Sequence, residues 1–180
     1  MGSRPECRRK EAVPQVSRVG VLTNLASATL APRLSDLEAA ARTLLAKLHI
    51  LNVRERQRID DAFMSMARER ANALLVMADS MFFAQRERIV ELAMTNRLPA
   101  IYEWGEFAET GGLMSDGTSV TNMYRRLASY VDKILKGAKP GDLPIEQPTK
   151  FELVINLKAA QALGLTISPS VLARTDRVIE

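Results

Sequence analysis

One cysteine and one histidine are all the chain offers among its 180 residues. Cys7 sits in the polar stretch MGSRPECRRK with no second thiol, which excludes an internal disulfide framework. With His49 as its sole imidazole, the chain lacks the ligand set of a zinc or other soft-metal site. No apolar run approaches the roughly 18 residues that would span a bilayer. The basic start meets Glu11, Pro14 and Gln15 without the apolar segment of about 7–15 residues that a secretory signal carries. Nine glycines and eight prolines are too few for a collagen-like or low-complexity chain.

What is present suits a globular unit. A 180-residue chain with 47% hydrophobic and 26% charged residues matches one domain or slightly more, and a compact chain of this size buries about 70% of its unfolded surface without staples. The net charge of +4 invites a nucleic-acid reading. The charges argue against it: Arg54, Arg56, Arg58, Arg68 and Arg70 alternate with Glu55, Asp60, Asp61 and Glu69, as on a solvated helix face. The aromatic interleaving of a base-stacking platform is missing, so no nucleic-acid partner is expected.

Apolar periodicity gives the architecture. Residues 18–22, 48–53, 73–78, 99–102 and 112–115 read as strands, and between them Leu34, Leu37, Ala41, Leu44 and Leu45, then Ile59, Phe63, Met66 and Ala67, then Ile89, Leu92, Ala93 and Leu98 keep helical spacing. Ser35, Asp36 and Glu38 suit the first turn of the first helix. Strands apolar throughout are buried on both faces, which requires helices above and below a parallel sheet. The class expected is α/β: a three-layer, doubly wound parallel sheet in flavodoxin-like order. Ser119 caps a long helix through Val120, Met123, Leu127, Val131 and Ile134 to Gly137. Residues 138–150 hold three prolines and read as extended. A strand at 151–156, a short helix at 157–163 ended by Gly164, and a helical turn opened by Pro169 complete the chain.

Catalytic signatures are missing. After the first strand stands Thr-Asn-Leu-Ala-Ser-Ala, without the glycines of a dinucleotide fingerprint or the acids of a phospho-receiver. Neither a P-loop nor a G-x-S-x-G elbow occurs. His49 lies in an apolar strand and suits a packed structural role. Open parallel sheets bind ligands beyond the carboxyl ends of their strands. There Asn24 offers an amide, Asp79 and Glu103 offer carboxylates for an ammonium, and Phe82, Phe83, Tyr102 and Trp104 offer flat apolar walls. Two readings of Asp79 stand side by side, ligand contact and helix capping, the latter shared with Ser80.

The stretches VPQVSRVGVLTN, ALLVMADSMFFAQRERIVELA, LPAIYEWGEFAETGGLMSDG and KGAKPGDLPIEQPTKFELVINLKAAQALGL, with the tail ISPSVLARTDRVIE, resemble successive pieces of substrate-binding proteins of ABC-type uptake systems, a family related to tryptophan-binding lipoproteins. The likeness runs from about Ala12 to Glu180. It implies a type I periplasmic binding protein: two α/β lobes joined by crossing segments, closing on a small solute without catalysis, cofactor or metal, and presenting it to a permease of the inner membrane.

On that resemblance residues 1–13 form a basic leader, 14–117 a ligand-binding lobe, 118–150 a helix and crossing segment, and 151–180 a return strand with C-terminal helices. The first lobe and the export signal are expected to be missing, so that the chain is a truncated form that binds weakly or not at all on its own. The helix at 119–136 would then turn Met123, Leu127, Val131 and Ile134 to a missing lobe or to a second copy. The expected solute contacts are Asn24, Asp79, Ser80, Phe82, Tyr102, Glu103, Trp104, Ser115, Asp116 and Gly117. Two of these places depart from the family: Leu25 follows Asn24 where proline is usual, and Asp116 stands where Ser-Tyr-Gly is frequent, which leaves the family's aromatic amino acids an open question here. The family's location is the periplasm; without a signal the chain as written would stay in the cytoplasm. The rival expectations are a flavodoxin-like enzyme or signalling module, and a remnant without function.

Overall fold

The computed structural model describes residues 16–26, 30–145 and 151–180. Residues 1–13, expected to form a basic leader and holding Cys7, and the end of the proline-rich segment at 146–150, lie outside the described residues.

Five strands, β1 (Arg18–Thr23), β2 (Lys47–Asn52), β3 (Ala73–Val76), β4 (Ala100–Tyr102) and β5 (Met114–Thr118), run parallel in the order β2-β1-β3-β4-β5. Two more extend the sheet: β6 (Phe151–Asn156) runs antiparallel to β5, and β7 (Arg177–Ile179) runs parallel to β6. This is the doubly wound α/β architecture that the run of apolar strands implies, with the flavodoxin-like order and a return strand at its edge. The order reverses between β1 and β3, which opens a crevice at their carboxyl ends.

Alternation along each strand feeds two cores. Val19, Val21, Ala73, Leu75, Ile101 and Met114 point to one face, where Leu30 and Leu37 of α1 (Leu30–Thr43), Ala159 and Ala160 of α7 (Leu157–Ala162) and Val171 of α8 (Pro169–Leu172) cover them. Leu22, Leu74, Val76 and Tyr102 point to the other, under Phe63 and Met66 of α2 (Ile59–Arg68), Phe82 of α3 (Ser80–Ala84), Ile89 and Ala93 of α4 (Arg86–Thr95) and Phe107 of α5 (Gly105–Glu109). Burying one such Leu, Ile or Phe contributes about 1.5–3 kcal/mol. Gly20 makes room for α2, because a Cβ there would lie 2.3 Å from Met66 Sδ.

Several boundaries differ from the sequence reading, each for a local reason. The first helix begins at Leu30, with Pro32 in its first turn, where the missing N–H is tolerated. Ser35, Asp36 and Glu38 therefore sit beyond the first turn, and Leu45 falls outside the helix at positive φ with 87% of its surface exposed. The fifth strand starts at Met114, because Gly111 turns the chain at φ +111°, and runs on to Thr118 through pairing with β6. Pro140–Asp142 form a single 3₁₀ turn within the segment expected to be extended. β7, with only three residues, has no counterpart in the sequence reading.

The helix α6 (Val120–Leu135) stands apart from both cores. Ser119 caps it by accepting the Asn122 N–H at 3.3 Å, yet none of its residues is buried. Met123, Leu127, Val131 and Ile134 are exposed, Leu127 by 56%. Met123, Leu127 and Ile134 flank an open groove of about 800 Å³ completed by Leu143 and Ile145, whose segment is tied back where Tyr130 Oη donates to the Pro144 carbonyl at 2.6 Å.

Candidate functional site

The side chains beyond β1, β3 and β4 converge at the crevice. Asp79 follows β3 in extended conformation, and its Oδ1 accepts the Met81 N–H at 2.8 Å, capping α3. Its Oδ2 accepts Asn24 Nδ2 at 3.1 Å, so the end of β1 is fastened to the end of β3. Capping is thus realised, and the carboxylate spends both oxygens within the protein. Asn24 Oδ1 in turn accepts the Ala26 N–H at 3.2 Å. Leu25 N–H donates to Asn52 Oδ1 at 3.0 Å, a bond that a proline at this place would lack. Ser80 is exposed at the first position of α3 and takes no part in the cap.

Glu103 lies one residue past β4. Its Oε2 accepts the Ala78 N–H at 2.5 Å, and its Oε1 forms an ion pair with Arg33 of α1. The Arg33 side chain is 41% exposed and that of Glu103 18%, so the pair lies at the mouth rather than in the core. Arg33 stands 70 positions from Glu103, on a different element, and no local pattern in the sequence marks it.

Of the four aromatic residues expected to wall the crevice, Phe83 and Trp104 are half-buried beside it and Phe82 and Tyr102 are not. Phe82 and Tyr102 are 0% and 1% exposed and belong to the core below the sheet, where Tyr102 stacks on Phe107 at 4.6 Å. As placed, they present no face to the crevice. Burial pushes the Tyr102 phenol up from its ordinary 10.0, and its Oη has no hydrogen-bond partner among the described residues. Phe83 and Trp104, both half-buried, meet edge to face at 5.1 Å, with the Arg86 guanidinium 5.1 Å over the Phe83 ring. Helix periodicity alone does not tell Phe82 from Phe83; the tilt of a five-residue helix decides which faces the core.

Ser115 and Asp116 are buried within β5, where they pair with Val154 and Leu153 of β6. Ser115 Oγ and Thr23 Oγ1 are buried without hydrogen-bond partners among the described residues. Gly117 passes close against the Glu103 main chain, and beside it a polar niche of about 270 Å³ opens among Glu106, Asn122, Arg125, Glu152 and Arg177. Arg177 is paired with Glu109 at 2.6 Å, and Asn122 Nδ2 donates to Glu152 Oε1 at 3.4 Å.

His49 Nε2 lies 2.9 Å from Ser65 Oγ, which packs β2 onto α2. Among the described residues no group of three or more His, Cys, Asp or Glu is placed to hold a metal ion. No described helix is long and apolar enough to cross a membrane.

The model of the family described as "ABC transporter substrate binding protein" matches residues 9–179. Among solved structures, a conserved domain protein from Vibrio cholerae is similar to the chain with 27% identity and a TM-score of 0.84. An ABC domain from Streptococcus pneumoniae, in complex with L-Trp, shares 25% identity with a TM-score of 0.85. Both alignments cover 94% of this chain and 57% of the other, so the chain spans little more than half the length of these relatives. The ligand-free, open structure of a substrate-binding protein with adhesive properties from Clostridium difficile, at 20% identity and a TM-score of 0.67 over 97% of this chain and 58% of its own, shares the fold. Among curated proteins, none matches.

Proposed function

Because the chain belongs to the ABC transporter substrate-binding protein family, we propose that it serves as one wall of a solute site, binding a small molecule at the carboxyl ends of β1, β3 and β4 for delivery to an ABC permease. The observation that carries this reading is the convergence at the topological switch point: Asn24 on Asp79, Arg33 on Glu103, and the Phe83–Trp104 pair beside them. Charged groups to orient a ligand and an aromatic surface to cover it are the usual equipment of a small-molecule site. An amino acid is the solute class favoured, given the L-Trp held by the pneumococcal relative.

The opposing wall belongs to a second lobe, which docks on the apolar face of α6; where no such lobe is present, copies of the chain associate through that face. Sites of this kind bury about 70–90% of the ligand, so a single wall binds weakly. The protein acts without chemistry on its solute, and the setting for this work is the periplasm. Ser115, Asp116 and Gly117 support the site from below, with Gly117 fixing the Glu103 main chain.

The reading is tested by nuclear magnetic resonance titration of the labelled chain with a panel of amino acids that includes L-tryptophan. Millimolar binding with shifts confined to the amides around Asn24, Asp79, Glu103 and Trp104 is expected. No localised shift with any member overturns the function, and sub-micromolar binding overturns the single-wall account.

A further inference from the structure

Three helices end alike along the amino ends of the strands, on the side of the sheet away from the crevice. After α1, α2 and α4 the N–H groups of Ala46, Ala71 and Leu98 donate back to the carbonyls of Ala41, Met66 and Ala93, each at 2.9 Å. Such a turn needs a left-handed residue just past the helix, a place that glycine fills without steric cost. Gly111, Gly137 and Gly164 fill it after α5, α6 and α7. After α1, α2 and α4 it is filled by Leu45, Arg70 and Arg97, at φ of 53°, 54° and 51°. Each of these three carries the penalty of a Cβ in left-handed backbone.

The three turns lie side by side. Lys47 is the register partner of Arg18 across β2 and β1. Arg18 Nη1 donates to the Glu69 carbonyl at 3.0 Å, and the Asn72 N–H to the Arg18 carbonyl at 2.9 Å, which sets the Arg70 turn beside them. The Leu74 N–H donates to the Pro99 carbonyl at 2.9 Å and brings the Arg97 turn next in line. At one strand spacing per step, the four strands β2, β1, β3 and β4 make a rim about 15 Å long. Arg18, Lys47, Arg70 and Arg97 are exposed along it. Among the described residues Lys47, Arg70 and Arg97 enter no ion pair. Within residues 42–47, 68–72 and 95–99 the one acid is Glu69.

Basic side chains at helix carboxyl ends complement the dipole, which accounts for Arg42 and Arg68 in the last turns of α1 and α2. The dipole gives no reason for Leu45, almost fully exposed at the equivalent left-handed place with Arg42 and Lys47 on either side of it in sequence. We propose that this rim docks on an anionic bilayer surface, with the basic side chains on lipid phosphates and Leu45 in the interfacial layer. An apolar tip set among cations is the combination that binds such an interface. Nucleic acid is the weaker fit, because none of the three turns holds an aromatic residue on which a base would stack. The crevice stands at the far ends of the strands, about 20 Å away for a six-residue strand such as β1. Docking therefore leaves the solute side turned away from the lipid.

Co-sedimentation of the full chain with vesicles tests the docking, using phosphatidylglycerol mixed with phosphatidylcholine in one arm and phosphatidylcholine alone in the other. Binding to the mixed vesicles at low salt, its loss at high salt, and no binding to phosphatidylcholine are expected. Arg70→Gly and Arg97→Gly should each weaken vesicle binding about fivefold, the share of one basic residue at an anionic surface. Their melting temperatures should hold or rise, since glycine relieves the left-handed backbone. Leu45→Gly should weaken vesicle binding by about fivefold or more, through lost apolar burial. Equal binding to both kinds of vesicle, or to neither, overturns the proposal, and so does binding that neither arginine change alters. A Leu45→Gly chain that binds vesicles as the wild type does leaves a surface for soluble polyanions such as nucleic acid and overturns the bilayer assignment.

Discussion

A methyl group on Gly117 would stand 1.8 Å from the carbonyl oxygen of Glu103. The end of β5 thereby sets the height of the loop after β4, and with it the position of the Glu103 carboxylate over Ala78. Gly117→Ala forces the two backbones apart. Overpacking of this kind costs roughly 1–3 kcal/mol, which urea denaturation reads directly. L-Tryptophan binding should weaken at the same time; unaltered stability together with unaltered binding would show that the contact is slack.

Asp79 holds the entry of α3 and the exit of β1 at once. Asp79→Ala is expected to destabilise by about 0.5–2 kcal/mol for the lost cap. Asn24→Ala in the same background should add little, because its partner is already gone. A thermal double-mutant cycle checks this, and strict additivity of the two changes counts against the Asn24–Asp79 link.

The buried Tyr102 phenol ties stability to alkaline pH. Burial raises its pKa above the ordinary 10.0, so in the folded protein the neutral form is kept. Above pH 10 the unfolded chain releases this proton while the folded chain retains it, and stability falls as pH rises. Tyr102→Phe removes the titrating group together with a hydroxyl that has no partner among the described residues. It should match or exceed the wild type in stability at neutral pH and flatten the alkaline loss. Chemical denaturation across pH 8–11 decides, a neutral-pH loss on the scale of a broken hydrogen bond, about 1 kcal/mol or more, being the contrary outcome.

The apolar face of α6 adds nothing to the two cores. Leu127→Glu should leave the melting free energy within about 0.5 kcal/mol of the wild type, as surface substitutions do. In light scattering the wild type should gain mass with concentration and the variant should not. Equal masses for the two proteins would remove this face from the account of self-association.

Much of the fold is legible in the residues. Ala-Leu-Leu-Val at β3 is apolar throughout because it is buried on both sides, and Ser119 and Gly164 mark helix ends by their own backbone chemistry. Asp116 and Gly117 read as loop formers, yet they are strand residues, because register with Leu153 and Glu152 more than thirty positions away outweighs local preference. The site is legible only in part. Asn24, Asp79, Glu103 and Trp104 fall at strand ends, where topology alone places ligands. Arg33 becomes visible only when the sheet brings α1 beside the end of β4, because a pairing across 70 residues leaves no trace in local pattern; Phe82 and Phe83 read alike in sequence, and only the folded helix sets Phe83 against Trp104.

Thr118 and Phe151 are register partners on adjacent antiparallel strands, so the chain leaves the sheet and returns to it about one strand spacing away, near 4.8 Å. The described residues between them, Ser119 to Ile145, are therefore an excursion from the sheet. Neighbouring antiparallel strands can be joined by a two-residue turn, and an Asn-Gly link between Thr118 and Phe151 would excise the α6 excursion while all seven strands kept their register. In engineering terms the sheet and the α6 arm are detachable modules, open to replacement one without the other.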